Sequence, residues 1–357
     1  MKLYAVILAG GKGERFWPMS RKDFPKQFIA LFGKDSLLQM TYKRIRKIVP
    51  TKNQFFVISQ SLAKILKQQI TIPRSNIIYE PIGKNTAPAI ALAAIYLQTI
   101  DPDGTMIVLP SDHLIKNEQD FYQDVKFAYE IAQKDYLVTF GIPPTSPETG
   151  YGYIHIGKEF SHQNKQVSYF GLKFVEKPNL SLAKKYLRAK TYLWNSGMFV
   201  WRISTILQAI KEHLPEFYEK LIDFQKTINT PKEKKSLEKL YQQAPATSID
   251  YAVLEKSQNI VVVKANFIWD DVGSWLALER HFTKDNANNI ILGKVCYKDT
   301  EDSIIVSNKD LIATMGVKNL IIVQTNDALL VISKEKAAEL KDLIKIIGQN
   351  KDGIHYL

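Results

Sequence analysis

The stretch GGKGER, Gly10 to Arg15, has the makings of an anion site. Glycines without side chains let backbone N–H groups approach an anion closely. Lys12, Arg15 and Lys26 supply the charge to neutralise it, so phosphate is the expected ligand. Two familiar phosphate loops fail the test of spacing. A P-loop needs Gly-Lys followed by Ser or Thr, and here Gly11-Lys12 is followed by Gly13. The dinucleotide fingerprint counted from Gly11 and Gly13 meets Phe16 where its third glycine belongs. A tight turn with solvated charges is the plain alternative for this stretch taken alone.

Carboxylates follow at a distance. LPSDH places Asp112 just after the run TMIVL, and IWDDVGSW places Asp270 and Asp271 just before a glycine turn. Two carboxylates from distant stretches suit a Mg²⁺ ion that keeps most of its waters and touches substrate phosphates. Asp112 and Asp271 are the expected ligands, with capping the alternative for Asp112 and the simpler role for Asp270. FVEKP offers Glu176 to accept from sugar hydroxyls and Lys177 to donate to a phosphate. WNSGMFVW adds Asn195 and Gly197, and ETGYGYI adds Gly150 and Tyr151 in a close-approach loop. In EPIGKNTAPAIALAA, Asn85 or Thr86 caps an alanine-rich helix whose start could recognise a base or phosphate. Each of these stretches by itself is also compatible with ordinary turn and cap chemistry.

The elements that must carry these residues read as alternating strands and helices. Leu3 to Ala9 is a continuous apolar run, as expected for a strand buried on both faces. QFFVIS, TMIVL, YLVTF, LKFV and MFVW repeat the theme, with helical spacing in 36–48, 87–100 and 121–134. This alternation predicts a mostly parallel α/β sheet, with ligands at the carboxyl ends of its strands. Residues 203–240 read as helices interrupted near Pro215 and Pro231, and Ile260 to Trp269 as a returning strand. Beyond about residue 285 the texture changes to short strands, KVCY, SIIVS, LIATM, NLIIVQ and ALLVIS, compatible with a short β-solenoid. An amphipathic helix over 334–347 closes the chain. Two domains are expected, 1–284 carrying the chemistry and 285–357 a small β appendage.

Composition narrows the classes. The chain has 357 residues, 45% hydrophobic and 24% charged, an ordinary globular balance. Apolar runs are strand-length, so no membrane helix is expected. The N-terminus lacks a secretory layout, and the single Cys296 fits a reducing compartment, so a cytoplasmic location is expected. The net charge of +12 invites a nucleic-acid reading. Its lysines, however, sit on mixed-charge helical faces such as PKEKKSLEKL, and no recognition motif accompanies them. Anionic small molecules explain the local clusters better, and no nucleic-acid partner is expected.

Taken in order, GGKGERFWPMSRKDFPKQF, EPIGKNTAPA, LPSDH, FVEKP, WNSGMFVW and WDDVGSW resemble the motif set of the mannose-1-phosphate guanylyltransferases. FWPMSR with PKQF, and GKNTAPA, are the most specific parts of the likeness. The resemblance implies a Rossmann-like nucleotidyltransferase domain with a short left-handed β-helix behind it. It also implies Mg²⁺-dependent transfer of GMP from GTP to mannose 1-phosphate by in-line attack, giving GDP-mannose and pyrophosphate. Carried onto this chain, Gly10, Gly11 and Gly13 would hold the nucleotide phosphates, with Asn85, Thr86 and Ser111 also on the nucleotide. Arg15 and Lys26 would stabilise charge at the reacting phosphorus and leaving group. Asp112 and Asp271 would hold the metal, and Gly150, Glu176, Lys177, Asn195 and Gly197 would line the sugar-phosphate pocket. No covalent intermediate is required.

Some relatives carry a further cupin domain with phosphomannose isomerase activity. This chain ends at Leu357 and its six histidines include no closely spaced ligand pair, so a monofunctional enzyme is expected. A homodimer is expected from the exposed strands of the β appendage. Competing readings are transfer to another hexose 1-phosphate or from another nucleotide, and a non-catalytic, nucleotide-sensing subunit.

Overall fold

The computed structural model describes residues 2–11 and 13–357. Lys12, one of the expected phosphate-neutralising cations, lies outside the described residues. The strands are β1 (Leu3–Leu8), β2 (Gln54–Ser59), β3 (Ile77–Glu80), β4 (Thr105–Pro110), β5 (Leu114–Lys116), β6 (Leu137–Ile142), β7 (Tyr153–Gln163), β8 (Gln166–Val175), β9 (Tyr192–Arg202), β10 (Ile260–Lys264), β11 (Ile268–Asp270), β12 (Ile290–Leu292), β13 (Val295–Lys298), β14 (Ile304–Ser307), β15 (Ile312–Met315), β16 (Leu320–Gln324) and β17 (Leu329–Ser333). The helices are α1 (Leu37–Arg46), α2 (Ala63–Gln69), α3 (Thr86–Ile100), α4 (Glu118–Ala132), α5 (Leu180–Ala189), α6 (Ile203–His213), α7 (Pro215–Gln225), α8 (Glu233–Gln243) and α9 (Leu340–Gln349). The chain divides into two compact units.

Of the described residues, the first unit comprises 2–10, 42–111 and 115–269. Its frame is a nine-stranded sheet in the order β3-β2-β1-β4-β9-β6-β10-β8-β7. Strands β1 to β4 pair in parallel, as do β6 and β10; β8 and β9 run against the other seven. The mostly parallel sheet read from the alternation is therefore present, with two reversed strands. Helix α3 (TAPAIALAAIYLQTI) is apolar on nearly every face, and accordingly Ala87 to Ile95 are buried, in one core with α6, α7 and α8. Pro215 opens α7 at its first position, where a missing N–H costs nothing.

Of the described residues, the second unit gathers 11, 13–41, 112–114 and 270–357. Its core joins Phe16, Trp17, Ile29 and Leu31 to Trp275, Leu278, Ile290, Ile304, Ile321 and Leu340. The β appendage is built of parallel rungs: β12, β14 and β16 stack with Ile290, Ile304 and Ile321 in register, β13 pairs with β15, and β17 closes the stack antiparallel to β16. Asn289 seals a corner, its amide donating to Thr300 O at 2.8 Å and its Oδ1 accepting from Ser303 N at 2.9 Å.

Candidate active site

Five of the expected residues meet within the second unit. Gly13, Arg15, Lys26, Asp112 and Asp271 line one cavity of about 320 Å³, together with Glu14, His113 and Lys341. Gly13 is at φ +60. A Cβ there would run into Lys26, with the Lys26 backbone N only 2.6 Å away, so the turn needs glycine for both conformation and space.

Lys26 is the hub. Its side chain is 7% exposed, and its Nζ lies 2.8 Å from Asp112 Oδ2. It also donates to the carbonyl oxygens of Asp271 at 2.6 Å and Val272 at 3.0 Å. Burial alone would raise the Asp112 carboxyl, but Lys26, aided by His113, holds it below its ordinary value and so ionised. Gln27 steadies the glycine turn by donating to Gly11 O at 3.2 Å.

The paired aspartates have separate tasks. Asp270 accepts from Arg280 Nε at 2.6 Å and Nη2 at 2.9 Å, from Val272 N at 2.7 Å, and bonds His281 Nε2 at 2.7 Å. Burial works against ionisation, yet these partners hold the Asp270 carboxyl far below the usual range. Every direction on Asp270 is taken, whereas Asp271 faces the cavity with Asp112. Among the described residues no group of three or more His, Cys, Asp or Glu side chains could hold a metal. Two carboxylates on an open polar cavity nevertheless fit Mg²⁺, a hard ion that takes a few carboxylate oxygens and fills its shell with water and phosphate.

The first unit carries the other expected residues. Gly10 follows β1 with Glu80 close by: a Cβ on Gly10 would sit 3.4 Å from Glu80 Oε2. Burial pushes the Glu80 carboxyl up to about 7, against the pull of the Tyr241 hydroxyl donating at 3.0 Å. Ser111, buried, donates its N–H to Leu8 O at 3.1 Å. Asn85 is the N-cap of α3, accepting from Thr86 N at 2.8 Å, while Thr86 Oγ1 accepts from Ile249 N at 2.9 Å.

Asn195 organises the sugar-side group. It lies on β9 beside an irregularity in the pairing with β6, where Gly197 at φ +68 turns the strand. Its Oδ1 accepts from Gly197 N at 3.2 Å, and its Nδ2 donates to Asp250 Oδ1 at 2.7 Å. Burial, with the Glu176 charge nearby, pushes Asp250 up to about 6 although the Asn195 bond pulls the other way. Glu176 pairs with Lys177 at 2.9 Å. Space is open around Gly150; the tight approach falls at Gly152, where a Cβ would strike Glu176 Oε2. Tyr151 sits edge-on to Trp194 at 5.1 Å and Trp269 at 5.3 Å.

Asp250, Gly152 and Lys341 escaped the sequence reading. Nothing local marks Asp250, in a five-residue π-turn, or Lys341, one of several lysines near a closing helix.

Comparisons with known proteins place the chain in a family. The nucleotidyl transferase family model matches residues 4–288, and the mannose-phosphate isomerase/GMP-like β-helix domain matches residues 293–347. A mannose-1-phosphate guanylyltransferase of Salmonella muenchen is 39% identical over 364 residues, covering 99% of this chain and 75% of its own length. The chain belongs to the mannose-1-phosphate guanylyltransferase family. A solved Thermus thermophilus structure described as a mannose-1-phosphate geranyltransferase superposes with a TM-score of 0.88 at 34% identity, covering 98% of this chain and all of that one. A Helicobacter pylori structure described as a mannose-6-phosphate isomerase gives 0.60 at 29% identity, covering 76% of this chain and all of that one. The Rossmann-like transferase fold with an appended β-helix, expected for a guanylyltransferase of this family, is thus borne out.

Proposed function

We propose that the chain transfers GMP from GTP to mannose 1-phosphate, releasing pyrophosphate and forming GDP-mannose. A phosphate oxygen of mannose 1-phosphate forms a bond to the α-phosphorus. The bond from that phosphorus to the oxygen bridging toward the β-phosphorus breaks, and pyrophosphate leaves with the electron pair. The attacking oxygen is already ionised, so no general base is needed, and stabilisation of charge is the main task. The observation that carries this reading is the cavity in which Arg15, a lysine-braced Asp112 and Asp271 converge behind the glycine turn.

In this reading Arg15 neutralises charge on the phosphates, and Lys26 holds the Asp112 carboxylate and the backbone of Asp271 in place. Gly10, Gly11 and Gly13 bring backbone N–H groups to the nucleotide, with Asn85, Thr86 and Ser111 on the same substrate. Gly150, Glu176, Lys177, Asn195 and Gly197 receive the sugar phosphate. Asp112 and Asp271 would hold Mg²⁺, which polarises phosphoryl oxygens and offsets their charge. The transferase part is assigned to 1–284 and the β-helix part to 285–357, a division supported by the two family matches.

A cytoplasmic homodimer completes the reading. Among the described residues no helix is long and apolar enough to cross a membrane. Leu311, Met315, Leu329 and Val331 of the β appendage are 56–72% exposed, which favours a second copy as cover. Sedimentation at several concentrations tests the dimer.

The deciding assay is pyrophosphate release with Mg²⁺, mannose 1-phosphate and each of the four nucleoside triphosphates, repeated with glucose 1-phosphate and with Asp271→Ala. Release confined to GTP with mannose 1-phosphate, and lost by about 100-fold or more in the variant, is the expected result. Turnover with another pair refutes the specificity, and nucleotide binding without turnover favours a sensing subunit. Mannose 6-phosphate belongs in the same screen, and no isomerisation is expected.

A further inference from the structure

An ammonium has three N–H donors and no acceptor. All three donors of Lys26 are engaged within the protein, by Asp112 and by the carbonyls of Asp271 and Val272. In this arrangement Lys26 braces the Asp112 carboxylate and the Asp271–Val272 backbone and has no donor left for a substrate phosphate. Arg15 is then one phosphate-facing cation of the cavity, and Lys341 is another.

Lys341 stands in the first turn of α9, in the same compact unit as the cavity. Its neighbour Leu340 is 1% exposed and shares a core with Phe16 and Trp17, which follow the glycine turn directly. The segment after α9 is tied to the same stretch: Trp17 Nε1 donates to Tyr356 O, and Lys22 N to Leu357 O, both at 2.6 Å. The helix is anchored while the head of Lys341 is loosely held. Its side chain is 51% exposed, and its ion-pair contact with Glu14 is a long one, at 4.0 Å.

We propose that Lys341 is a binding residue for the pyrophosphate portion of the nucleoside triphosphate and for the pyrophosphate product. This rests on the transfer reading above and adds to it a role for the closing helix in substrate binding. The charge argument selects this ligand. In the transfer reading the sugar phosphate goes to Lys177, whereas pyrophosphate carries the highest charge in the reaction, and among the described residues Arg15 and Lys341 are the arginine and lysine of the cavity left beside the engaged Lys26.

The test is binding of inorganic pyrophosphate with Mg²⁺, by calorimetry, to the full chain and to Lys341→Ala, Lys341→Arg and Lys345→Ala. Lys345 lies one turn further on, paired with Asp342 on the surface. Loss of one charge-assisted contact weakens pyrophosphate binding about tenfold or more in Lys341→Ala. Lys341→Arg stays within about threefold and Lys345→Ala within about twofold of the parent. In the transfer assay the KM for mannose 1-phosphate does not move. Unchanged pyrophosphate affinity in Lys341→Ala overturns the assignment, as does a parent chain that binds no pyrophosphate. A rise in the mannose 1-phosphate KM instead also overturns it. A parent chain that binds pyrophosphate without transferring GMP refutes the reaction, while the variant comparison still judges Lys341.

Discussion

Asp250 allows a prediction worked from the structure. Its carboxyl sits beside Glu176 and accepts from Asn195, and the folded chain moves it from 3.8 to about 6. Between those values the folded chain binds more protons than the unfolded one, so this group's contribution to stability falls as pH rises through the window and stays lowered above it. Each tenfold change in proton affinity is worth about 1.4 kcal/mol, which makes the full penalty about 3 kcal/mol. Asp250 keeps some exposure, and screening reduces the recoverable part to roughly 1–3 kcal/mol. Asp250→Asn removes the charge, while its amide oxygen still accepts from Asn195. Urea unfolding followed by fluorescence should therefore find the variant more stable than the parent at about pH 8, with the difference shrinking toward zero near pH 4. A difference that is flat in pH, or that grows as pH falls, would refute the argument that burial and Glu176 disfavour the charge.

Three further perturbations separate the roles assigned here. Asp270→Asn removes the charge and one of the two accepting oxygens, losing the bonds that Oδ2 makes to Arg280 Nε and His281, and should cost about 2–4 kcal/mol near neutral pH. Because this carboxyl is depressed, its contribution is present above the ordinary carboxylate pKa and is lost as pH falls toward the folded value; acid titration of the unfolding midpoint should show a flatter limb in the variant. Gly152→Ala places a methyl where the Glu176 carboxylate lies, at the flexible end of a side chain. Melting should change by less than about 1 kcal/mol, while the KM for mannose 1-phosphate rises; an unchanged KM would remove Glu176 from the sugar site. Gly13→Ala meets the backbone of Lys26 and a φ of +60, neither of which can yield cheaply. It should cost about 1–2 kcal/mol from the backbone conformation alone, read as a lower urea midpoint together with lost transfer.

What the sequence determined by itself is what local physics determines. An apolar run such as LYAVIL favours burial, and β1 is the buried interior strand expected of it. Asn85 before an alanine-rich stretch makes an N-cap, Pro215 opens a helix, and short strands between polar turns form the rungs of the appendage. That Arg15, Asp112 and Asp271 are candidates was legible because glycine turns and strand-end carboxylates announce themselves within a few residues, and the structure brings them to one cavity. Tertiary structure decided the rest. Ile260 to Trp269 reads as one strand but ends as β10 at Lys264, because Asp124 of α4 captures Asn266 through its backbone N–H at 2.7 Å and its amide at 2.8 Å. The choice between Asp270 and Asp271 depended on Arg280 and His281 arriving at one carboxylate and leaving the other at the cavity. The bracing role of Lys26 depended on carbonyls some 245 residues away, and that of Asp250 on an amide 55 residues away. Periodicity and caps act over a turn or two of chain, whereas the partner of a buried charge is chosen by packing among segments that no spacing rule connects.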